Sequence, residues 1–156
     1  MIILREFTLE DFDAFWECYT NPLITRYFYA LQNGSQEKAH AILEAYTMHT
    51  GPDDFAWAIC STENQMVGCI QLFRSPISRT AHEIAYYLNP KHWGHGYMHE
   101  ALTQALEQVP QIKKIIAMVE PSNESSMRVL HKVGFTYSND ANVSNYMLGN
   151  IYTLQR

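Results

Sequence analysis

The stretch from His82 to Tyr97, HEIAYYLNPKHWGHGY, constrains this chain more than any other. Ile84, Ala85, Tyr86, Tyr87 and Leu88 form an apolar and aromatic run that reads as a strand, closed by the turn pair Asn89-Pro90. Beyond it the spacing predicts a helix that starts near Gly94 and runs to Pro110, a residue that cannot sit inside one. Gly94 and Gly96 fall on the junction, where the missing Cβ lets another group approach the backbone closely. A helix N-terminus leaves several N–H donors without partners, and its dipole favours negative charge. The combination predicts a cradle for a pyrophosphate. Two glycines alone also fit an ordinary strand-to-helix connection. The P-loop is excluded, because no Gly-Lys-Ser/Thr ends the run. The dinucleotide fingerprint is excluded too, because Met98 and His99 follow and no third glycine appears.

The whole chain narrows the classes further. Its 156 residues suit one domain with a sizeable core, and a hydrophobic content of 47% argues against disorder. A formal charge of −5 argues against a general nucleic-acid surface and suits an acidic enzyme that handles a cationic amine. No apolar run reaches membrane-spanning length, and the start of the chain lacks a signal-peptide pattern. Cys18, Cys60 and Cys69 show no C-x-x-C spacing and read as buried or incidental thiols in a reducing cytoplasm.

In chain order, Ile2 to Phe7 reads as a first strand. Thr8 then caps a helix, with Asp11 in place of the usual Glu or Gln of a capping box, and Phe12, Phe15, Trp16 and Tyr19 recur at helical spacing. Asn21-Pro22 breaks that helix, and a short second one covers Leu23 to Tyr29. Asn33-Gly34 is a turn, Ser35 caps a helix through about Met48, and Gly51-Pro52 ends it. Phe55 to Ser61 and Met66 to Phe73 are strands joined by the hairpin link Thr62 to Gln65. After the organising strand and helix, Ile112 to Val119 is a β-branched strand. Asn123 to Lys132 is a helix with Gly134 past its end. Phe135 to Tyr137 and Val143 to Leu154 close the chain as a hairpin. This mixed order implies an α/β fold on a central mixed sheet.

Three pieces of this sequence resemble the GNAT acetyltransferases. Lys91 to Ala101, KHWGHGYMHEA, resembles that family's coenzyme A loop, and looks closest to the branch of ribosomal-protein N-terminal (alanine or serine) acetyltransferases. Pro121 to Ser126, PSNESS, and Val133-Gly134-Phe135 resemble the branch's P-x-N-x-x-S and later G-F, in the same order and spacing. The likeness spans the chain nearly end to end and is sharp from about Glu83 to Phe135. It implies a single GNAT domain, residues 1–156, with a mostly antiparallel sheet and helices on both faces. Two central parallel strands, Glu83–Leu88 and Ile112–Val119, would splay into a V that admits the pantetheine arm.

The resemblance also implies the chemistry: direct attack of a primary amine on the thioester of acetyl-CoA in a ternary complex. It needs a base for the ammonium, a donor for the oxyanion and an acid for the departing thiolate. The backbone amides of Trp93, Gly94, His95, Gly96, Tyr97 and Met98 would hold the pyrophosphate. Lys91 stands where the family usually has Gln or Arg, keeping the charge without the bidentate fork. Leu88 matches the position whose N–H faces the thioester carbonyl. Asn123 and Ser126 match residues that contact the pantetheine arm and the sulfur, although both also suit helix capping. Many members place a tyrosine acid four residues after Ser126; this chain has Leu130, which leaves Ser126 as the candidate acid or as a hydrogen-bond donor to sulfur. Glu83 matches a family glutamate and is the candidate base, directly or through water, against the plainer reading of a carboxylate paired with Arg79 or solvated.

Glu100 fits a supporting role, and Glu120 is an alternative base. His95 and His99 lie four apart on one helical face, a spacing that can hold a metal, but no H-E-x-x-H is present and no metal is expected. Tyr27, Phe28, Tyr29 and Trp57 could line an aromatic acceptor pocket or belong to the core. The acceptor itself, a small-molecule amine or a protein N-terminus, has no readable motif. Nucleic acid and membrane are not expected as partners, and the final hairpin could join a homodimer. The other reading is a non-catalytic acyl-CoA-binding sensor that has kept the cradle.

Overall fold

The computed structural model describes residues 1–28, 34–48, 52–138 and 149–156. Among the described residues seven strands form one sheet: β1 (Ile3–Arg5), β2 (Phe55–Cys60), β3 (Met66–Arg74), β4 (His82–Leu88), β5 (Lys114–Val119), β6 (Thr136–Tyr137) and β7 (Asn150–Gln155), in the spatial order β1-β2-β3-β4-β5-β7-β6. Every neighbouring pair is antiparallel except β4 and β5. That parallel pair is registered only at His82–Ile115 and Glu83–Ile116. From Ile84 onward the two strands separate, so the expected V is present, with its apex at Glu83.

Alternation along each strand sorts side chains to two faces. Ile59, Ile70, Ile84 and Leu88 pack with Leu102, Ala105, Leu130 and Phe135, from helices α4 (Tyr97–Gln108) and α5 (Glu124–Lys132) and the turn after α5. Ala58, Cys60, Cys69 and Tyr87 face the other way, toward Phe15, Cys18, Tyr19, Ala39 and Leu43 of α1 (Phe12–Tyr19) and α3 (Gln36–Thr47). The cysteines are buried, and burial pushes the Cys60 thiol up to about 11 and that of Cys18 to about 12, so they stay protonated.

Local signals account for the helix ends. A 3-10 turn (Leu9–Asp11) leads into α1, and the Asp11 carboxylate accepts the Thr8 N–H at 2.9 Å while Arg5 holds it with two bonds of 2.8 Å. Pro22 does not merely end α1. It occupies the first turn of α2 (Pro22–Thr25), where a missing N–H costs nothing, and Asn21 accepts the Leu23 N–H at 3.0 Å. Ser35 caps α3 through the Lys38 N–H, at 3.1 Å. Helix α5 stops at a left-handed Gly134 (φ +100°), and the Phe135 N–H reaches back to the Leu130 carbonyl at 3.0 Å, a Schellman motif that seats Phe135 in the core. The last carbonyls of α4 and of the turn beyond it receive the Arg156 guanidinium, which donates to Leu106 and Val109 at 2.8 and 2.6 Å.

The expected boundaries shift at the edges. β1 and β5 are shorter than the apolar runs suggested, because Ile2 and Ile112 bury their side chains outside the ladder. Tyr29, Asn33, Gly51 and the first part of the last expected strand, residues 143–148, lie outside the described residues. No described helix is long and apolar enough to cross a membrane.

Candidate active site

The V opens onto the start of α4, and there the organising stretch does its work. β4 ends at Leu88, Asn89 caps a 3-10 turn (Pro90–His92) by accepting the Lys91 N–H at 3.1 Å, and α4 begins at Tyr97 rather than near Gly94. Between them Gly94 and Gly96 take left-handed φ of +80° and +76°. Side-chain residues are strained in that region, so the backbone path itself demands glycine. A Cβ built on either would meet no heavy atom within 4 Å, so the space above the loop is free for a bound group. The first intrahelical bond of α4 is Glu100 N–H to the Gly96 carbonyl, 3.1 Å, which leaves the amides of Tyr97, Met98 and His99 without a helical acceptor. The Trp93 amide, by contrast, is used within the turn, donating to Pro90 at 3.2 Å. Trp93 contributes differently: its indole N–H donates to the Leu88 carbonyl at 2.8 Å and fastens the loop to the end of β4.

A cleft of about 350 Å³ runs between this loop, α5 and α2. Leu88, Trp93, Gly94, Gly96, Tyr97, Met98, Asn123 and Ser126 all line it, so the structure brings most of the expected residues together across a separation of nearly forty positions. Asn123 caps α5 by accepting the Ser126 N–H at 3.3 Å. Three expected residues lie outside the lining. Lys91 turns away and pairs with Glu17 of α1, whose carboxyl it holds below the usual range. His95 packs its ring 5.4 Å from that of Tyr97. Glu83 sits at the apex of the V on the Tyr87 face of β4, opposite Tyr86. It is 7% exposed, and its Oε2 has no hydrogen-bond partner among the described residues. Burial pushes its carboxyl above the usual range.

Two residues that sequence reasoning passed over stand out. Tyr86 leans from β4 across the V, and its hydroxyl lies 2.6 Å from Ser126 Oγ. Alternation could have shown that Tyr86 faces α5, since it shares the Ile84 and Leu88 face; nothing local could have named its partner. Arg26, at the end of α2, lies over the Tyr27 ring at 4.5 Å and lines the cleft. Tyr27 and Phe28 also line it, with Phe28 edge-on to Tyr87 at 5.6 Å. Trp57 belongs to the core: it stacks on Phe55 and donates to Gln108 at 3.1 Å. Glu100 accepts the Ile2 N–H at 3.2 Å and ties β1 to α4. Glu120 accepts from Ser122. Among the described residues no group of three or more His, Cys, Asp or Glu is placed to hold a metal.

A family model, the acetyltransferase (GNAT) domain, matches residues 1–136. The chain belongs to the GNAT acetyltransferase family. As a GNAT acetyltransferase it is 29% identical over 140 residues to the uncharacterized N-acetyltransferase YoaA of Bacillus subtilis, covering 86% of this chain and 78% of that one. Its fold matches the Salmonella typhimurium acetyl transferase that modifies the N-terminal serine of ribosomal protein L7/L12, with a TM-score of 0.80 at 18% identity over 99% of this chain and 95% of the other. It also matches Vibrio cholerae spermidine N-acetyltransferase in complex with CoA and spermine, with a TM-score of 0.76 at 16% identity over 99% and 95% of the two chains. Likenesses this distant in sequence speak for the GNAT architecture and not for a shared acceptor.

The residues present suit acetyl-CoA. Unpaired amides at the α4 N-terminus match a diphosphate. Arg128 and Lys132 on α5 add positive charge to the cleft wall, and the splayed strands leave a slot for an extended arm.

Proposed function

We propose that this GNAT enzyme moves the acetyl group of acetyl-CoA to a primary amine, small molecule or protein N-terminus, by direct attack in a ternary complex. The observation that carries the reading is the V between β4 and β5, which opens straight onto the unpaired amides of Tyr97, Met98 and His99. Acetyl-CoA supplies an activated acyl group on a thiolate leaving group. The α4 amides and the Gly94–Gly96 loop hold its diphosphate, and Leu88 at the end of β4 presents backbone to the thioester. Ser126 and Asn123 face the sulfur end from α5.

Glu83 serves as base through water. It stands about five residues and so roughly 16 Å along the strand from Leu88, on the opposite face from Ser126, so direct contact with an amine near Ser126 is excluded for a regular strand. Burial raises its carboxyl above the ordinary range, which makes it a stronger base than a solvated carboxylate. The described lining of the cleft carries Arg26, Arg128 and Lys132 and no carboxylate. That favours an acceptor with a single amine over a polycation, which needs acids for recognition.

The test is an acceptor screen at fixed acetyl-CoA with detection of released thiol. The panel holds short peptides with Ser or Ala at the N-terminus, free amino acids, polyamines and aminoglycosides. Thiol release matched by acetylated product on a single-amine acceptor is the expected result. Acetyl-CoA binding by calorimetry without thiol release on any amine overturns it and describes an acyl-CoA sensor instead.

A further inference from the structure

Ser126 does not stand alone at the sulfur end of the cleft. It lies in the first turn of α5, too early for its hydroxyl to turn back onto a carbonyl of the helix itself, so its bonding is set by what packs against it. Here Tyr86 Oη lies 2.6 Å from Ser126 Oγ and 3.4 Å from the Ser126 carbonyl oxygen. Both side chains line the same cleft, one from each side of the V. The carbonyl can only accept. Either hydroxyl can donate in the shorter contact, and the phenol, as the stronger acid, favours the sense from Tyr86 to Ser126. The serine oxygen is then occupied as an acceptor, and its own proton is free to turn into the cleft.

We propose that Tyr86 is a positioning residue: by donating to Ser126 Oγ it aims the serine proton at the sulfur of acetyl-CoA. The assignment rests on the acetyl-transfer reading and on the place of Ser126 at the thioester. It also accounts for the absence of a tyrosine at Leu130, which is fully buried in the core: the phenol reaches the site from β4 instead.

The step balances as follows. The amine nitrogen forms the new C–N bond, the C–S bond breaks, and its electron pair leaves on sulfur. The nitrogen's proton passes to Glu83 through water. The Ser126 hydroxyl hydrogen-bonds the thiolate, which takes a proton from water, and the hydroxide so formed is neutralised by the proton that Glu83 has gained. Tyr86 keeps its own proton throughout, because burial pushes the phenol above its ordinary value and makes a tyrosinate costly. It is therefore an orienting donor and not a proton shuttle.

A double-mutant cycle decides the matter, using an acceptor found in the screen, thiol release for kcat and KM, and calorimetry with CoA for affinity. Tyr86→Phe is expected to lower kcat about tenfold, the scale of one oriented hydrogen bond, with CoA affinity and melting temperature nearly unchanged. Ser126→Ala is expected to lower kcat by at least as much, and the double variant to fall no further than Ser126→Ala. The kcat–pH profile of Tyr86→Phe should drop evenly with both limbs in place. Multiplying losses in the double variant overturn the proposal, and so does a lost alkaline limb, which would make Tyr86 a shuttle. A Tyr86→Phe defect confined to CoA affinity or folding overturns it as well. A wild type without thiol release on any amine sinks the acetyl-transfer reading together with it, whereas turnover with an additive cycle sinks the positioning role alone.

Discussion

The two walls of the cleft are built on different principles. The wall of β4, the Gly94–Gly96 loop, α4 and α5 is specified by backbone geometry: left-handed glycines, unpaired helix amides, an Asn cap and a Schellman turn. The wall of α2 and the residues after it, backed by the core of α1 and α3, is specified by ring packing: Phe28 on Tyr87 and Arg26 over Tyr27 at the cleft, Phe12 on His40 and Phe15 on Tyr19 behind it. Backbone geometry admits few residue types, so the first wall leaves a motif in the sequence. Ring packing admits many combinations of similar volume, so the second leaves none. On the proposed reading, a diphosphate would be bound by the part of the protein that can vary least, and the amine would be met by the part that can vary most.

The most damaging break of the first wall is Gly96→Val. A β-branched residue at φ +76° costs about 1–3 kcal/mol in strain, and its methyls enter the space above the loop. Calorimetry should find CoA binding weakened by about 100-fold or more, with the circular-dichroism spectrum of a folded protein. Unchanged CoA affinity would show that the diphosphate is held elsewhere.

Glu83→Gln separates chemistry from binding. Turnover should fall by about 10- to 100-fold while CoA affinity holds, and the wild-type acid limb should lie above the ordinary carboxylate range. The stability effect has the opposite sign. Because the native carboxyl is raised, the folded chain keeps a proton that the unfolded chain releases, and stability falls as pH rises between the two values. Glu83→Gln should therefore melt higher than wild type at about pH 8, with the gap closing below about pH 4. Equal turnover with and without the carboxylate would remove Glu83 as base.

Smaller changes sharpen the contrast. Trp93→Phe removes the indole bond to the Leu88 carbonyl and should weaken CoA by about fivefold, read by the same titration. On the other wall, Arg26→Met should change the acceptor KM by several-fold, about the worth of one charged contact, and leave CoA affinity alone; an effect on CoA alone would move Arg26 to the cofactor side. Smallest is Lys91→Ala, since its ion pair with Glu17 is exposed and such pairs contribute about 0–1 kcal/mol. CoA affinity within about twofold is the expected outcome, and a large loss would return Lys91 to the cradle.

What the sequence determined by itself is local. Periodicity and turn chemistry placed most strands and helices within a few residues, although α2 ends at Thr25 rather than Tyr29 and the last strand is described only from Asn150. Gly94 and Gly96 marked the junction before α4, because the positive φ found there favours glycine over every other residue type. Ser35, Asn123 and Gly134 declared helix ends, likewise through residue type. Asn21-Pro22 marked the break between α1 and α2, and Pro22 also opens the second of them, because a proline suits the first turn of a helix as well as the end of the one before. The tertiary structure alone decided what meets across the V. It joined Tyr86 to Ser126, forty positions away, left Glu83 at the apex on the far face, and spent the Lys91 charge on Glu17. Such pairings depend on where two strands part and on which helix then covers the gap, and no spacing along a single chain encodes that distance.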